Sequence, residues 1–452
     1  MTFSFPHYFL LLLHVLHLTE INSITFTLIP TANGLYTIPL LIGHPEKQFT
    51  LLIDTVSPLT WLRTVPCQSN TIGCTINTAA NAESISTYLH KIKIKNQHTS
   101  TTTIHHNFGS ISGEIAVDDV KLGGTLQASK LELLIITNDN NNNNETTASS
   151  YANIQFDTNI AGVIGLDNTL SQQSVIYNLY QSKQINHNIF TLRLNNNNNS
   201  NTPLFSIGAI PNYILTDKPN YSTCKTRNKH WNCKLTHLLF GNDYNFYKAI
   251  AINDAIAVAS FSSALPNIYV HLRYFNTFIE EYFEMYFNNN NCLIVKDIHI
   301  NTTNVVCPKE DFPHDLHKAC INFIFNGFAY KVPFVDLFED ADNTKYAAYK
   351  LFKVEFTDML NDSEWVFGVV FMKQNEMVFD AETGVVGFYG GDKFDFVKYT
   401  NENIENVCLY NIFALVALVC AVVGPIAVNI WRKKKNNDYL TTLARKAYKR
   451  LQ

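Results

Sequence analysis

A chain of 452 residues, of which 46% are hydrophobic, is long enough to form two or three packed units around a large core. Its net charge of −4 is unevenly distributed, because residues 432–452 carry eight Lys and Arg against one Asp, whereas the remainder carries 26 basic and 37 acidic residues. An acidic body would be repelled by a phosphate backbone, so nucleic acid is not expected as a partner.

The first 23 residues are typical of a secretory signal peptide. The run from Phe9 to Leu13 is apolar, and Ser23 is a small residue at a suitable cleavage position. No Lys or Arg precedes the apolar run, so an uncleaved anchor is the alternative. Cleavage after Ser23 would leave a lumenal or extracellular body that begins at residue 24.

Short runs of β-branched and aromatic residues, separated by Gly, Asn and Pro, continue from residue 24 to about residue 388. This pattern predicts a mostly-β body. Apolar residues at helical spacing predict helices only over residues 174–184 and 272–287.

An Asn-rich stretch near the middle of the body is predicted to be an exposed linker, because such polar runs cannot offset the entropy lost on ordering. The linker covers residues 195–202. It separates a predicted N-terminal lobe, residues 24–194, from a predicted C-terminal lobe, residues 203–400.

One carboxylate stands out in the N-terminal lobe. Asp54 ends the apolar run from Leu51 to Ile53 and is followed by Thr55, Val56 and Ser57. A buried unpaired charge is costly, so a strand that delivers one Asp to its end indicates a functional site. An Asp that caps the turn after the strand is the alternative interpretation.

Five segments in chain order give the body a resemblance to the pepsin-like aspartic protease family. Residues 36–62 resemble the first strands of that family and its Asp-Thr-Gly-Ser active-site turn, which reads Asp-Thr-Val-Ser here. The other four resemble the flap hairpin, the strand and helix that close the first lobe, and the last strands of the second lobe: 108–123, 161–166, 174–179 and 365–388. The resemblance implies a bilobal, mostly-β fold with an interlobe cleft.

The resemblance also implies that each lobe contributes one Asp to the cleft. Two close carboxylates cannot both ionise, so one acts as base and the other as acid when water attacks a peptide carbonyl. Aligned on Leu265, Ser260 takes the position of the second Asp, and Phe261 and Ser262 continue that turn. A hydroxyl cannot replace this carboxylate, which predicts loss of activity. A shift of the alignment that brings in Asp254 is the alternative.

Two other substitutions distinguish the site from the family pattern. Val56 replaces a Gly that approaches the partner carboxylate, and Phe261 replaces a second small hydroxyl residue. In the flap, His106 stands where the family has Tyr, close to Phe108 and Gly109. His106 is either a substitute donor or an ordinary hairpin residue.

Seven cysteines precede residue 408 and predict disulfides in an oxidising compartment. Cys67 with Cys74, and Cys224 with Cys233, are close enough in sequence to close small loops. Three more leave one over or paired with Cys408, and the sequence does not fix the connectivity: Cys292, Cys307 and Cys320. Without Cys-x-x-Cys or paired-His spacing, no metal or cofactor is expected. Sequons for N-glycosylation occur at Asn144, Asn198, Asn220, Asn301 and Asn361.

The uncharged run 412–430 and the basic residues after it predict a transmembrane helix over residues 409–431 and a cytosolic tail over residues 432–452. A buried helix of a soluble protein is the alternative. In the tail, Tyr448 and the three residues after it resemble a tyrosine-based sorting signal, which would bind a sorting adaptor. A basic helix lying on the anionic leaflet is the alternative.

Together these patterns predict a single-pass type I membrane glycoprotein whose pepsin-like body is a pseudoprotease that binds a peptide or protein in its cleft. An active membrane-anchored aspartic endopeptidase is the first alternative. A structural or adhesive glycoprotein whose cleft has no ligand is the second.

Overall fold

The computed structural model describes residues 23–63, 101–106, 109–136, 160–169, 173–194, 202–242, 246–251, 257–283, 292–297, 301–310, 312, 318–341, 346–394, 425 and 431–436. Residues 1–393 belong to one compact unit, and residues 394–452 belong to a second. The described part of the first unit is built mainly from three β-sheets, so the prediction of a mostly-β body is confirmed.

The first sheet has eight strands, all from the N-terminal half of the chain. Leu51, Leu52 and Ile53 are consecutive and all buried, because their strand is covered on both faces, which explains its continuous apolar sequence. In sheet order the strands are Ile29–Pro30, Tyr36–Ile42, Lys47–Asp54, Gly162–Gly165, Thr60–Arg63, Leu126–Ile136, Gly109–Leu122 and Thr101–His106.

The second sheet has thirteen strands, all from the C-terminal half. Eleven follow one path: Phe338–Asp340, Tyr349–Phe352, Thr302–Pro308, Val354–Thr357, Ile268–His271, Glu364–Phe367, Val258–Phe261, Asn232–Asn242, Ala319–Phe325, Phe328–Pro333 and Asp392–Lys393. Two more lie off this path, Phe246–Ala251 beside Asn232–Asn242 and Leu293–Asp297 beside Thr302–Pro308.

A six-stranded sheet takes two strands from the predicted N-terminal lobe and four from the predicted C-terminal lobe, and it joins the two lobes. At its centre Phe190 pairs with Phe379, and their rings stack with centroids 4.6 Å apart. Buried aromatic pairs of this kind fix the two halves against each other. In sheet order the strands are Ile24–Thr27, Leu204–Ile207, Ile189–Arg193, Glu376–Asp380, Val385–Tyr389 and Tyr221–Lys225.

Helices are short in the described residues. The helix predicted over residues 174–184 is confirmed as Val175–Gln181. The helix predicted over residues 272–287 is observed as consecutive 3₁₀, α and π turns, Leu272–Tyr274, Phe275–Phe278 and Ile279–Phe283, and residues 284–287 lie outside the described residues. The remaining helical segments in the described part of the first unit are Asn212–Thr216, Lys218–Asn220 and Val369–Met372.

In the second unit, the described residues include a helical segment over residues 431–436. Within the described ranges, no helix combines the length and apolar character needed to cross a membrane. Apart from single residues at their edges or within them, the predicted signal peptide, linker and transmembrane helix lie outside the described residues, as does Tyr448.

Candidate active site

The strand that carries Asp54 runs parallel to the strand Gly162–Gly165, and Asp54 lies opposite Gly165. The backbone N–H of Leu166 donates to the carbonyl oxygen of Asp54 at 2.9 Å. Asp54 is completely buried, as are Thr55 and Ser57 in the turn that follows. The carboxylate is therefore held at the end of a rigid strand, in the position that the sequence predicts.

A second strand is built in the same way in the C-terminal half. The strand Val258–Phe261 runs parallel to Glu364–Phe367, with Phe261 opposite Phe367. The next residue, Ser262, donates its backbone N–H to the carbonyl of Phe367 at 2.9 Å. Ser262 and Ser263 are both buried in the turn after this strand.

Reciprocal hydrogen bonds join the two turns. Thr55 Oγ1 donates to the carbonyl of Phe261 at 2.5 Å and accepts from the N–H of Ser263 at 3.2 Å. Ser263 Oγ donates to the carbonyl of Ile53 at 2.8 Å and accepts from the N–H of Thr55 at 3.2 Å. Each hydroxyl therefore bridges two backbone groups of the opposite turn, and the two turns are related by an approximate twofold symmetry.

Two glycines support the same correspondence. A Cβ on Gly165 would lie 2.3 Å from the carbonyl oxygen of Leu59, and one on Gly368 would lie 2.2 Å from that of Asn267. Each glycine lets its chain pass directly over the turn in its own half. Leu59 and Asn267 therefore correspond, as Thr55 and Ser263 do.

This correspondence pairs Asp54 with Ser262, 208 positions further along the chain, and not with Ser260. The assignment of the second position to Ser260 is therefore corrected by two residues. It relied on Leu265 as an apolar anchor, but Leu265 is only partly buried. The buried strand residue that corresponds to Ile53 is Phe261.

The role expected of Phe261 changes with the register. Phe261 does not replace the second bracing hydroxyl residue, because Ser263 supplies that hydroxyl. Its ring is fully buried among aromatic side chains such as Phe325 and Phe388. Phe261 therefore belongs to the core of the C-terminal half.

The carboxylate of Asp54 faces hydrogen-bond donors. Its Oδ1 accepts from the backbone N–H of Val56 at 2.9 Å and from Ser262 Oγ at 3.4 Å. Val56 therefore keeps the backbone hydrogen bond of the turn despite its side chain, which is partly exposed. A serine hydroxyl donates and accepts hydrogen bonds, but it does not exchange its proton near neutral pH as a carboxyl group does.

The segment that resembles the flap forms a β-hairpin. Strands Thr101–His106 and Gly109–Leu122 are antiparallel, with His106 paired to Gly109. Phe108 lies outside the described residues. The hairpin that the resemblance implies is therefore present, and the role of His106 stays a prediction.

A pair of titratable residues that no sequence pattern indicated lies beside the two turns. His230 Nδ1 lies 3.1 Å from Oδ2 of Asp167, a side chain only 2% exposed. The hydrogen bond that the imidazole donates to Asp167 raises the pKa of His230, although burial opposes this shift. The available signal was an acidic residue directly after the apolar run that ends at Leu166.

The described cysteines form two disulfides. Cys224–Cys233 is confirmed as predicted, and Cys292 pairs with Cys307. Cys320 is buried in its strand, where the Asn322 side chain donates to its sulfur. Cys67 and Cys74 lie outside the described residues.

The described sequon residues differ in exposure. Asn220 and Asn361 are exposed and Asn301 is partly buried, while Asn144 and Asn198 are outside the described residues. Within those residues, no group of three or more His, Cys, Asp and Glu is arranged to hold a metal ion.

The chain is similar in sequence to known aspartyl proteases. The sequence model for eukaryotic aspartyl proteases matches residues 35–389. Mouse cathepsin D is 26% identical over 213 residues, which is 46% of this chain and 49% of that protein. Cathepsin D of Dictyostelium discoideum is 24% identical over 185 residues, which is 40% of this chain and 43% of that protein.

The chain thus spans about half the length of the curated relatives it matches. The family match, by contrast, covers both of the turns described above and the strands that lead into them. This chain belongs to the family of eukaryotic aspartyl proteases, the pepsin-like proteases.

Proposed function

We propose that this protein is a pepsin-like pseudoprotease that binds peptide or protein segments in the cleft between its two halves. The observation that carries the proposal is the pairing of Asp54 with Ser262, whose hydroxyl lies 3.4 Å from Oδ1 of Asp54. The family mechanism needs an acid and a base at these two positions, and this pair supplies only one titratable group.

The fold around the site supports a role in binding even without the second carboxylate that catalysis requires. The reciprocal hydrogen bonds of Thr55 and Ser263 hold the two turns together without any help from a second carboxylate. The flap hairpin is also retained at the backbone level. The pepsin-like fold implies a cleft between the two lobes, and such a cleft would be suited to capturing an extended peptide.

Peptidase activity of the purified full chain tests the catalytic part of the proposal. An acid-denatured protein would be incubated with wild type and with Asp54→Asn from pH 3 to pH 7, with and without pepstatin. We expect both proteins to show the same background. Cleavage that pepstatin and Asp54→Asn each abolish would establish the alternative, an active endopeptidase with a different second group.

Hydrogen exchange tests the binding part. A mixture of unstructured decapeptides of randomised sequence would be added to the wild-type chain. We expect slower exchange in residues 54–63 and 258–267, with residues 319–333 as an internal control. Exchange that stays unchanged in both turns would favour the alternative of a structural or adhesive glycoprotein.

We also propose that the body is lumenal or extracellular, glycosylated, and anchored as a single-pass type I protein with a cytosolic tail. The two disulfides and the exposed sequon residues Asn220 and Asn361 support an oxidising compartment. Protease protection of tail and body epitopes in sealed membranes would test the orientation. A Tyr448→Ala variant with unchanged surface abundance would contradict a sorting adaptor at Tyr448.

A further inference from the structure

A buried carboxylate and a half-exposed imidazole join the two halves of the chain beside the Asp54 turn. Asp167 Oδ2 lies 3.1 Å from Nδ1 of His230 and accepts the hydroxyl of Thr169 at 2.5 Å. The Asp167 side chain is 2% exposed and the His230 side chain 52% exposed. A carboxylate this deeply buried requires such partners, because desolvation disfavours its charge.

Asp167 is tied directly to the turn that carries Asp54. Its backbone N–H donates to the carbonyl of Ser57 at 3.1 Å. The preceding residue, Leu166, donates to the carbonyl of Asp54 at 2.9 Å. A movement of Asp167 is therefore transmitted to both ends of the turn.

His230 is tied in the same way to the strand that leads to Ser262. The indole N–H of Trp231, the next residue, donates to the carbonyl of Leu166 at 2.7 Å. The carbonyl of Trp231 accepts the backbone N–H of Phe261 at 3.2 Å. The His230–Trp231 segment thus connects the strand before Ser262 with the segment that holds Asp54.

The charges around His230 favour its protonated form. Asp167 and Glu364 both raise its pKa, and the hydrogen bond that the imidazole donates to Asp167 makes the largest contribution. Arg227 and Lys229 are the cations of its own hairpin. A neutral imidazole can still donate to Asp167, but a charge-assisted hydrogen bond is roughly twice as strong.

We propose that Asp167 and His230 form a positioning pair that holds the Asp54 and Ser262 turns against each other more firmly at acidic pH. The contribution of this pair to stability is complete below pH 6.5, the ordinary pKa of a histidine, where His230 is protonated in both the folded and the unfolded chain. This contribution is lost as the pH rises through the raised pKa that His230 has in the folded protein. The consequence for ligand capture rests on the proposed function, whereas the effect on the turns does not.

Hydrogen exchange of the full chain at pH 5 and pH 8, corrected for intrinsic rates, tests the proposal. We expect about two- to fivefold slower exchange in residues 54–59 and 262–267 at pH 5, the size typical of a partly exposed ion pair. His230→Gln should remove this difference. The matched control is His187→Gln, because Nδ1 of His187 lies 3.5 Å from the carboxylate of Glu382, away from the turns. This variant should keep the difference in exchange between pH 5 and pH 8.

Ring resonances of labelled histidines provide a second measurement. His230 should titrate above 6.5 in the wild type and closer to that value in Asp167→Asn. Exchange that is independent of pH in the wild type, or a pH difference that survives in His230→Gln, would overturn the proposal. Failure of the decapeptides to bind at either pH, with the pH-dependent exchange intact, would instead refute only the proposed function.

Discussion

Ser262 Oγ lies 3.4 Å from Oδ1 of Asp54, so a hydroxyl from one half of the chain faces a carboxylate from the other. The backbone around the two residues is nearly symmetric, because Thr55 and Ser263 make the same pair of hydrogen bonds in opposite directions. The asymmetry of the site is therefore confined to side-chain chemistry. This makes the site suitable for tests by single substitutions.

Ser262→Asp should restore a pair of close carboxylates and make stability dependent on pH. Because the two groups cannot both ionise, the folded protein holds one proton more tightly than the unfolded chain. Stability relative to wild type should be unaffected below pH 4 and fall by about 1–4 kcal/mol at pH 7. Denaturant unfolding at both pH values measures this.

Ser260→Asp is the matched control for that register. Ser260 lies in the strand beside Val366 and Asn232, and it should show a weaker dependence on pH. Adding Asp54→Asn should cancel the effect of Ser262→Asp and leave that of Ser260→Asp unchanged. If Asp54→Asn instead cancelled the effect of Ser260→Asp and left that of Ser262→Asp unchanged, Ser260 would be the partner of Asp54.

The same position tests whether the missing carboxylate is what prevents cleavage. Ala264 follows Ser263 as Val56 follows Thr55, so Ser262→Asp combined with Val56→Gly and Ala264→Gly gives both turns the Asp-x-Gly pattern of the family. We expect pepstatin-sensitive cleavage of an acid-denatured protein at acidic pH, and none when Asp54→Asn is added. A folded triple variant without activity would show that other features also block the reaction.

Thr55→Val and Ser263→Ala should be strongly coupled. Each substitution removes a buried hydroxyl that bridges two backbone groups of the opposite turn, so each should cost about 1–3 kcal/mol. Because the hydroxyls act in one network, the double variant should lose less than the sum. Chemical denaturation of the four proteins gives the coupling energy, and simple additivity would argue against the network.

Gly368→Ala should destabilise the protein by about 3 kcal/mol or more, because the new Cβ would lie 2.2 Å from the carbonyl oxygen of Asn267. Gly327→Ala is the control, since no atom lies within 4 Å of its Cβ position. That variant should lose only about 1–2 kcal/mol, owing to its φ of +78°. Thermal unfolding distinguishes the two, and similar losses would contradict the close approach at Gly368.

Glu376→Gln should make the protein more stable at neutral pH. Burial raises the pKa of Glu376, whose carboxylate accepts the hydroxyl of Tyr213. The contribution of Glu376 to stability is therefore complete below pH 4.5, the ordinary pKa of a glutamate. It declines as the pH rises through the raised pKa of Glu376 in the folded protein. A glutamine keeps an acceptor for Tyr213 without the ionisation. Parallel stability profiles of wild type and variant from pH 3.5 to pH 7 would contradict this.

Several features could be read from local sequence. The apolar run that ends at Asp54 predicts a buried strand with a functional carboxylate, and the close spacing of Cys224 and Cys233 predicts their disulfide. Each of these depends on residues that are neighbours in the chain. The five family-like segments predict the family through their order along the chain and not through any one of them alone.

The register of the second turn could not be read in this way. Ser260, Ser262 and Ser263 are similar residues within one short stretch, and contacts between distant parts of the chain, such as those of Ser263 with Thr55 and Ile53, identify which serine faces Asp54. The pairing of Asp167 with His230 is likewise formed across 63 positions.

Local apolar patterns and short loops were sufficient to predict the mostly-β body, the strand and carboxylate of the first turn, and the Cys224–Cys233 disulfide. The pairing of Ser262 with Asp54, and the connection that Asp167 and His230 make beside them, became apparent only in the folded chain. Those relationships depend on hydrogen bonds between strands far apart in the chain, whose geometry is set by packing of the whole fold and not by any local pattern.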